Sequence, residues 1–254
     1  MDGRWDFYFL LVDDRPASIF VDLARIEHAP LARFPVMAWV SVEMRRPRED
    51  GLSGSDEFDA LVRLEDAVVP ALERDGGVLY VGRNTSAGRR DFYFYVADGS
   101  DWETRVLSAM RLAPDYRHEA GQRPDADWSV YRDFLYPRPR ERHGMQNRSV
   151  CDALERQGDA LVAAREIDHW AYFPDARGRD AFVAGALALD YRLREQADDA
   201  DEGGERCMAR VFRSDVPAHG AIDGICLPLY DLALECGGRY DGWECPVVEG
   251  GRLQ

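Results

Sequence analysis

The 254-residue sequence predicts an α+β protein of two tandem ferredoxin-like (βαββαβ) antiparallel-sheet sandwiches, the first with an extra N-terminal β-hairpin. Three observations lead there. Apolar runs of strand length alternate with stretches whose apolar residues recur every three or four positions. The same order of elements occurs twice. Between the copies lies Tyr136–Asn147, YPRPRERHGMQN, in which prolines, arginines and a glycine leave almost nothing to bury. It reads as a linker between a first domain, residues 1–140, and a second, residues 141–254.

In the first half, Phe7–Val12 and Ala17–Val21 are strands around the turn Asp13-Asp14-Arg15-Pro16. Pro35–Met44 is a further apolar strand. Ser55 is placed to cap a helix carrying Phe58, Leu61, Val62, Val68, Val69 and Leu72 at three-four spacing. Pro70 is expected to kink this helix, and Asp75-Gly76-Gly77 to end it. Val78–Arg83 and Asp91–Val96 are strands about a polar turn, Trp102–Leu112 a short helix, and Tyr116–Glu119 a last strand.

The second half opens with a helix at Ser149–Gln157, followed by the strand Ile167–Phe173. Asp175 or Asp180 starts a helix with Phe182, Val183, Ala186 and Leu187 on one face. Tyr191–Glu195 and Cys207–Phe212 are strands across an acidic loop. Ile222, Ile225, Cys226, Leu229, Ala233 and Cys236 mark an amphipathic helix, and Arg239–Val247 is the final strand.

The stretch GGRYDGWE joins these last two elements. Gly237-Gly238 is a helix stop, because glycine reaches the left-handed conformation that caps the last carbonyls. Tyr240 and Trp243 are three apart, so a regular strand sends them to opposite faces. A bulge at Asp241-Gly242 would bring both to one side. The spacing leaves both arrangements open.

Acids outnumber bases 47 to 32, for a net charge of −15, and every base is arginine. Residues 1–140 carry 25 acids against 19 bases and residues 141–254 carry 22 against 13, so the second half is the more acidic. Such a chain repels nucleic acid and anionic membrane and draws basic partners toward it. No apolar run approaches the ~20 residues that span a bilayer. Phe7–Val12 follows Asp2 and Asp6 and makes a poor signal peptide. Cys151, Cys207, Cys226, Cys236 and Cys245 are an odd set without a CxxC pair, which suits reduced thiols in a cytoplasmic protein.

Catalytic and metal-binding patterns are not found. In Glu195–Glu205, EQADDADEGGE, Asp199 and Asp201 alternate, but Gly203 falls at the wrong position for an EF-hand loop. A solvated acidic loop, or a charged surface for an Arg-rich partner, fits better. His169 follows Asp168 on a strand, so the two side chains point to opposite faces and form no Asp-oriented base. There is no nucleophile elbow, phosphate loop or GxGxxG. The strand RRDFYFYV, Arg89–Val96, sends Phe92 and Phe94 one way and Tyr93 and Tyr95 the other, which leaves one aromatic pair on the open side of the sheet, as in RNA-recognition sheets. The domain's negative charge argues against RNA, and the opening hairpin or the other domain's sheet is the expected cover.

The second half resembles the ribonuclease E inhibitor B (RraB) family over about residues 148–248. The residues that carry the resemblance are Tyr240-Asp241-Gly242-Trp243 after an amphipathic helix, Ile167-Asp168-His169-Trp170-Ala171-Tyr172-Phe173 on the first strand, and Leu189-Asp190-Tyr191-Arg192. The resemblance implies a small, acidic, non-enzymatic α+β domain that binds ribonuclease E and reduces its activity. The first half is similar to an uncharacterised domain family often fused ahead of it. That likeness rests on Trp5-Asp6-Phe7-Tyr8-Phe9, Arg89–Tyr95 and Trp128-Ser129-Val130-Tyr131-Arg132-Asp133-Phe134.

The sequence thus points to a regulator that acts by protein–protein binding, without cofactor, metal or catalytic residues. Its partner is expected to be a basic or Arg-rich nuclease, with no direct nucleic acid and no membrane. The expected partner surface is His169, Trp170, Tyr172, Tyr240, Asp241, Trp243 and Glu244, with Asp198, Asp199, Asp201 and Glu202 as an acidic rim. An immunity or antitoxin protein against a basic nuclease toxin uses the same physics. An uncharacterised hydrolase is the alternative from a different class.

Overall fold

The computed structural model describes residues 3–202 and 205–248, and the side chains of these except at 199–202, 205 and 206. The chain divides into two compact units, Met1–Glu141 and Arg142–Gln254. Each is built on its own antiparallel sheet, of six and of four strands.

The first unit opens with a hairpin of β1 (Trp5–Val12) and β2 (Arg15–Asp22). Asp13 and Asp14 both take positive φ, 49° and 59°, which matches the twist of a two-residue turn between paired strands. Then follow β3 (Val36–Glu43), α1 (Ser55–Glu73), β4 (Val78–Ser86), β5 (Arg89–Val96), α2 (Trp102–Ala109) and β6 (His118–Pro124). The spatial order is β1-β2-β4-β5-β3-β6: a ferredoxin-like sheet extended at the β4 edge by the hairpin. Alternation turns Ala38, Val40, Phe92 and Phe94 toward α1 and α2, where they meet Leu61, Leu64, Val68, Trp102 and Val106 in one core. Gly54, not Ser55, occupies the N-cap of α1, and the helix runs through Pro70 to Glu73.

Within the first unit, the opposite sheet face is covered by a segment other than the opening hairpin. Asp125–Leu135 folds back over it, ending in a π-helical turn, Val130–Leu135. Trp128 stacks on Tyr95 at 4.0 Å, and its indole donates to the Phe34 carbonyl at 2.9 Å. The Tyr95 hydroxyl donates to Asp125 at 2.5 Å, and Tyr131 donates to the Asp22 carbonyl at 2.7 Å. Tyr95 is therefore sealed in, and the half-buried Tyr93 meets Phe134 edge-on at 5.8 Å.

The supposed linker is also corrected. Pro139–Arg156 is one helix, α3, and the division between the units falls inside it. Proline costs little in the first turn of a helix, where its missing N–H has no partner to lose, and arginine is a good helix former. Met145 and Asn147, inside the stretch thought to bury nothing, are both buried.

The second unit continues with β7 (Arg165–Phe173), α4 (Ala176–Ala188), β8 (Arg192–Glu202), β9 (Glu205–Asp215), α5 (Ile222–Glu235) and β10 (Arg239–Glu244). Its order, β10-β7-β9-β8, is the ferredoxin-like one. The acidic stretch is not a free loop. Most of it lies in the β8–β9 hairpin, with Asp198 paired to Cys207. Ile167, Ala171, Phe173, Ala209 and Val211 face α4 and α5, and Cys151 and Leu154 of α3 join the same core.

Candidate functional site

The helix stop behaves as its glycines require. Gly237 has φ 74°, its N–H reaches the Leu234 carbonyl at 2.9 Å, and the Gly238 N–H reaches Ala233 at 2.8 Å. This is the paired hydrogen-bond pattern of a Schellman cap. A Cβ on Gly238 would overlap the Phe173 ring, so this glycine also lets β10 start close against β7.

Asp241 is the extra residue of a bulge: Tyr240 pairs with Ala171, and Gly242, at φ 141°, pairs with Trp170. The shift places Tyr240 and Trp243 on the same face, and that face is the core. Tyr240 is 2% exposed, Trp243 8% and their neighbour His169 0%. The expectation that these three side chains form a partner surface is therefore corrected. Trp243 donates its indole N–H to Asn147 Oδ1 at 2.9 Å, and Asn147 Nδ2 donates to Asp223 at 2.8 Å, which pins β10 to α3 and α5. His169 Nδ1 and the Tyr240 hydroxyl lie 2.8 Å apart in a hydrogen bond whose direction follows the imidazole tautomer. Burial, and then the Arg213 charge, push the His169 pKa down to about 3, against the opposing pull of Asp168. Burial likewise pushes the Cys226 thiol and the Tyr240 hydroxyl up, so this buried group stays neutral.

The other face of β7 carries a different surface. Trp170 and Tyr172 point away from the helices and remain half-buried. Arg210, directly opposite Trp170 on β9, lays its guanidinium 4.6 Å from the indole centroid. Asp168 fixes that guanidinium, accepting from its Nε at 3.1 Å and Nη2 at 3.0 Å. Arg194 lies 3.9 Å over Phe212 and donates to Asp168 at 2.5 Å and Glu166 at 2.6 Å. The hydrogen bonds it donates to Glu166 and Asp168 raise the Arg194 pKa. Arg239 covers Tyr172 at 5.0 Å and pairs with Asp241. The result is a row of aromatic rings capped by arginines whose charges are held by acids on the same face.

Beside this row lies a groove of about 440 Å³. It is lined by His143 and Gln146 of α3, Trp170 and Tyr172 of β7, and Asp241, Trp243 and Glu244 of β10. Burial lowers the His143 pKa despite the nearby Asp241 carboxylate.

Of the expected site residues, the structure brings Trp170, Tyr172, Asp241, Glu244 and the buried Trp243 to one groove. Asp198 lies elsewhere: it shares the helix-side face with Cys207 and pairs with Arg179 of α4. The side chains of Asp199, Asp201 and Glu202 lie outside those described. Sequence reasoning missed Asp168, Arg194, Arg210 and Phe212. Two-residue alternation along Cys207–Phe212 would have put Arg210 and Phe212 on one face. Matching Arg210 to Trp170 requires the register between β7 and β9, strands separated by a helix and a third strand.

Among the described residues one trio is close enough to share a cation: Asp152, Glu155 and His219, all exposed, with ligand atoms within 4.8 Å of one another. His219 lies 3.6 and 3.2 Å from the two carboxylates, a pairing that needs no ion. No helix of the described residues is long and apolar enough to cross a membrane.

Comparison with known proteins follows the two units. The family profile described as "Family of unknown function (DUF695)" matches residues 3–136, and "Regulator of ribonuclease activity B" matches residues 145–245. No curated protein matches the chain. Among solved structures, one described as a "putative glycine cleavage system transcriptional repressor" is 10% identical, with 82% of this chain and 96% of that chain covered and a TM-score of 0.26. An unknown protein from Galdieria sulphuraria is 11% identical, with 83% and 97% covered and a TM-score of 0.23. Likeness this slight carries no argument. The chain belongs to the family of unknown function DUF695, joined here to a second domain that matches the Regulator of ribonuclease activity B family.

Proposed function

We propose that the chain is a non-catalytic, cytoplasmic regulator that binds a ribonuclease of the ribonuclease E kind and lowers its activity, and so slows RNA turnover. The family match of residues 145–245 supports a regulatory role toward a ribonuclease. The observation that carries the binding mode is the pair Trp170 and Tyr172, half-buried on an open sheet face and bordered by Asp241 and Glu244. Aromatic anchors inside a charged border are the arrangement that concentrates binding energy at protein interfaces. Asp241 and Glu244, with the acidity of residues 141–254, favour a partner that offers arginines or lysines.

RNA itself is the poorer partner for this face. Arg194 and Arg210 are already held by Glu166 and Asp168, and at −15 the whole chain repels phosphate.

The reading is tested by adding the purified chain to ribonuclease E and following cleavage of a fluorescent RNA. Cleavage should slow in proportion to the chain added, and the effect should weaken as salt rises. Undiminished cleavage at saturating chain, or slowed cleavage from a chain that binds the RNA substrate and not the ribonuclease, contradicts it.

A further inference from the structure

The first unit contains a cavity of about 620 Å³, a size suited to a small molecule. It opens on the sheet face that Asp125–Leu135 covers only in part. Trp39 on β3 and Tyr93 on β5 are direct cross-strand partners and share that face. Trp39 also pairs with Gly121 on β6, where a Cβ would stand 2.7 Å from indole Cζ2. The missing side chain leaves room for the indole over β6, and Trp39 lines the cavity. Phe134 closes a third side, 5.8 Å from Tyr93.

Inside this aromatic enclosure stands Asp91, two residues before Tyr93 on the same face and opposite Ser41. Burial raises its pKa against the opposing pull of the Ser41 hydrogen bond and the Arg89 charge, as befits a carboxylate short of water. Among the described residues Asp91 makes no ion pair. The guanidinium nearest in sequence, Arg89, is committed elsewhere, donating to Ser41 Oγ at 2.8 Å and to Glu119 at 2.9 Å. Arg123, Glu119 and Asp133 also line the cavity. The enclosure thus holds aromatic faces and three carboxylates, Asp91, Glu119 and Asp133, against two guanidiniums, Arg89 and Arg123, which leaves it net negative. A cation that can shed its water is the ligand such a set recognises, because ring faces and a desolvated carboxylate both attract it.

We propose that this cavity is a binding site for an organic cation with an alkylammonium or methylated ammonium head. The head lies over Trp39 and Tyr93 with Asp91 as its counter-ion. The site belongs to the first domain and does not depend on the ribonuclease reading.

The test uses the full chain, labelled with nitrogen-15, titrated with tetramethylammonium and n-butylammonium chloride, with tert-butanol as the neutral control. The readout is the Trp39 indole N–H resonance, assigned by its loss in Trp39→Phe. Both ammonium ions should shift it saturably, with dissociation constants on the order of 1–10 mM, whereas tert-butanol should not. Asp91→Asn and Tyr93→Leu should each weaken the ammonium effect about tenfold or more while the other indole resonances stay in place. The proposal is overturned if neither ammonium ion gives a saturable shift, if tert-butanol does as well, or if Asp91→Asn binds as tightly as the parent.

Discussion

His169 and Tyr240 face each other across β7 and β10, Nδ1 to hydroxyl oxygen 2.8 Å, in a place closed to solvent. Among the described residues the imidazole Nε2 has no hydrogen-bond partner. Protonating the ring would bury a charge whose Nε2–H has nothing to receive it.

Stability should therefore depend on pH through His169. Its pKa is near the ordinary 6.5 in the unfolded chain and about 3 in the folded one. Between those values the unfolded chain binds the extra proton, so the contribution is complete above pH 6.5 and is lost as pH falls toward 3. The slope is roughly 1.4 kcal/mol per pH unit. Urea midpoints measured from pH 7.5 to 4.5 should show it, and His169→Gln should flatten the curve. A parent curve already flat in this range contradicts the assignment.

Trp243 should behave as a core residue. Trp243→Ala is expected to cost ~3–5 kcal/mol of folding stability. Trp243→Phe keeps most of the packing but strands Asn147 Oδ1, at a cost of ~1–3 kcal/mol. Chemical denaturation measures both. A loss below about 1 kcal/mol for Trp243→Ala would return this side chain to the surface.

The glycines should rank by what each would meet. Gly238→Ala forces its methyl into the Phe173 ring and should be the most damaging. At Gly237 and Gly242 a Cβ has open space, so only the positive φ opposes it, at ~1–2 kcal/mol. Equal melting temperatures for Gly238→Ala and Gly237→Ala would contradict this ordering.

These residues also show what was legible in the chain. Helix ends, hairpin turns and the opposite facing of Asp168 and His169 follow from local rules, and the repeated βαββαβ order followed from them. Two-residue periodicity could not say which face Trp243 takes, because one inserted residue, Asp241, resets the alternation. The start of α3 was hidden because proline and arginine serve a helix N-terminus as well as a linker. The Arg210–Trp170 and Arg194–Phe212 stacks depend on strand register across intervening elements, which local patterns do not carry.

The central claim is that the outer sheet face, and not the buried Tyr240–Trp243 pair, meets the ribonuclease. The most direct measurement is calorimetric affinity for ribonuclease E, with melting temperature, for Trp170→Ala, Tyr172→Ala and Trp243→Phe. Trp170→Ala and Tyr172→Ala should lose on the order of 2–4 kcal/mol of binding, or roughly 30- to 1000-fold, with melting nearly unchanged. Trp243→Phe should melt earlier, and its folded fraction should bind as the parent does. Parent-like affinity in both Trp170→Ala and Tyr172→Ala, with binding lost in folded Trp243→Phe, would contradict the account.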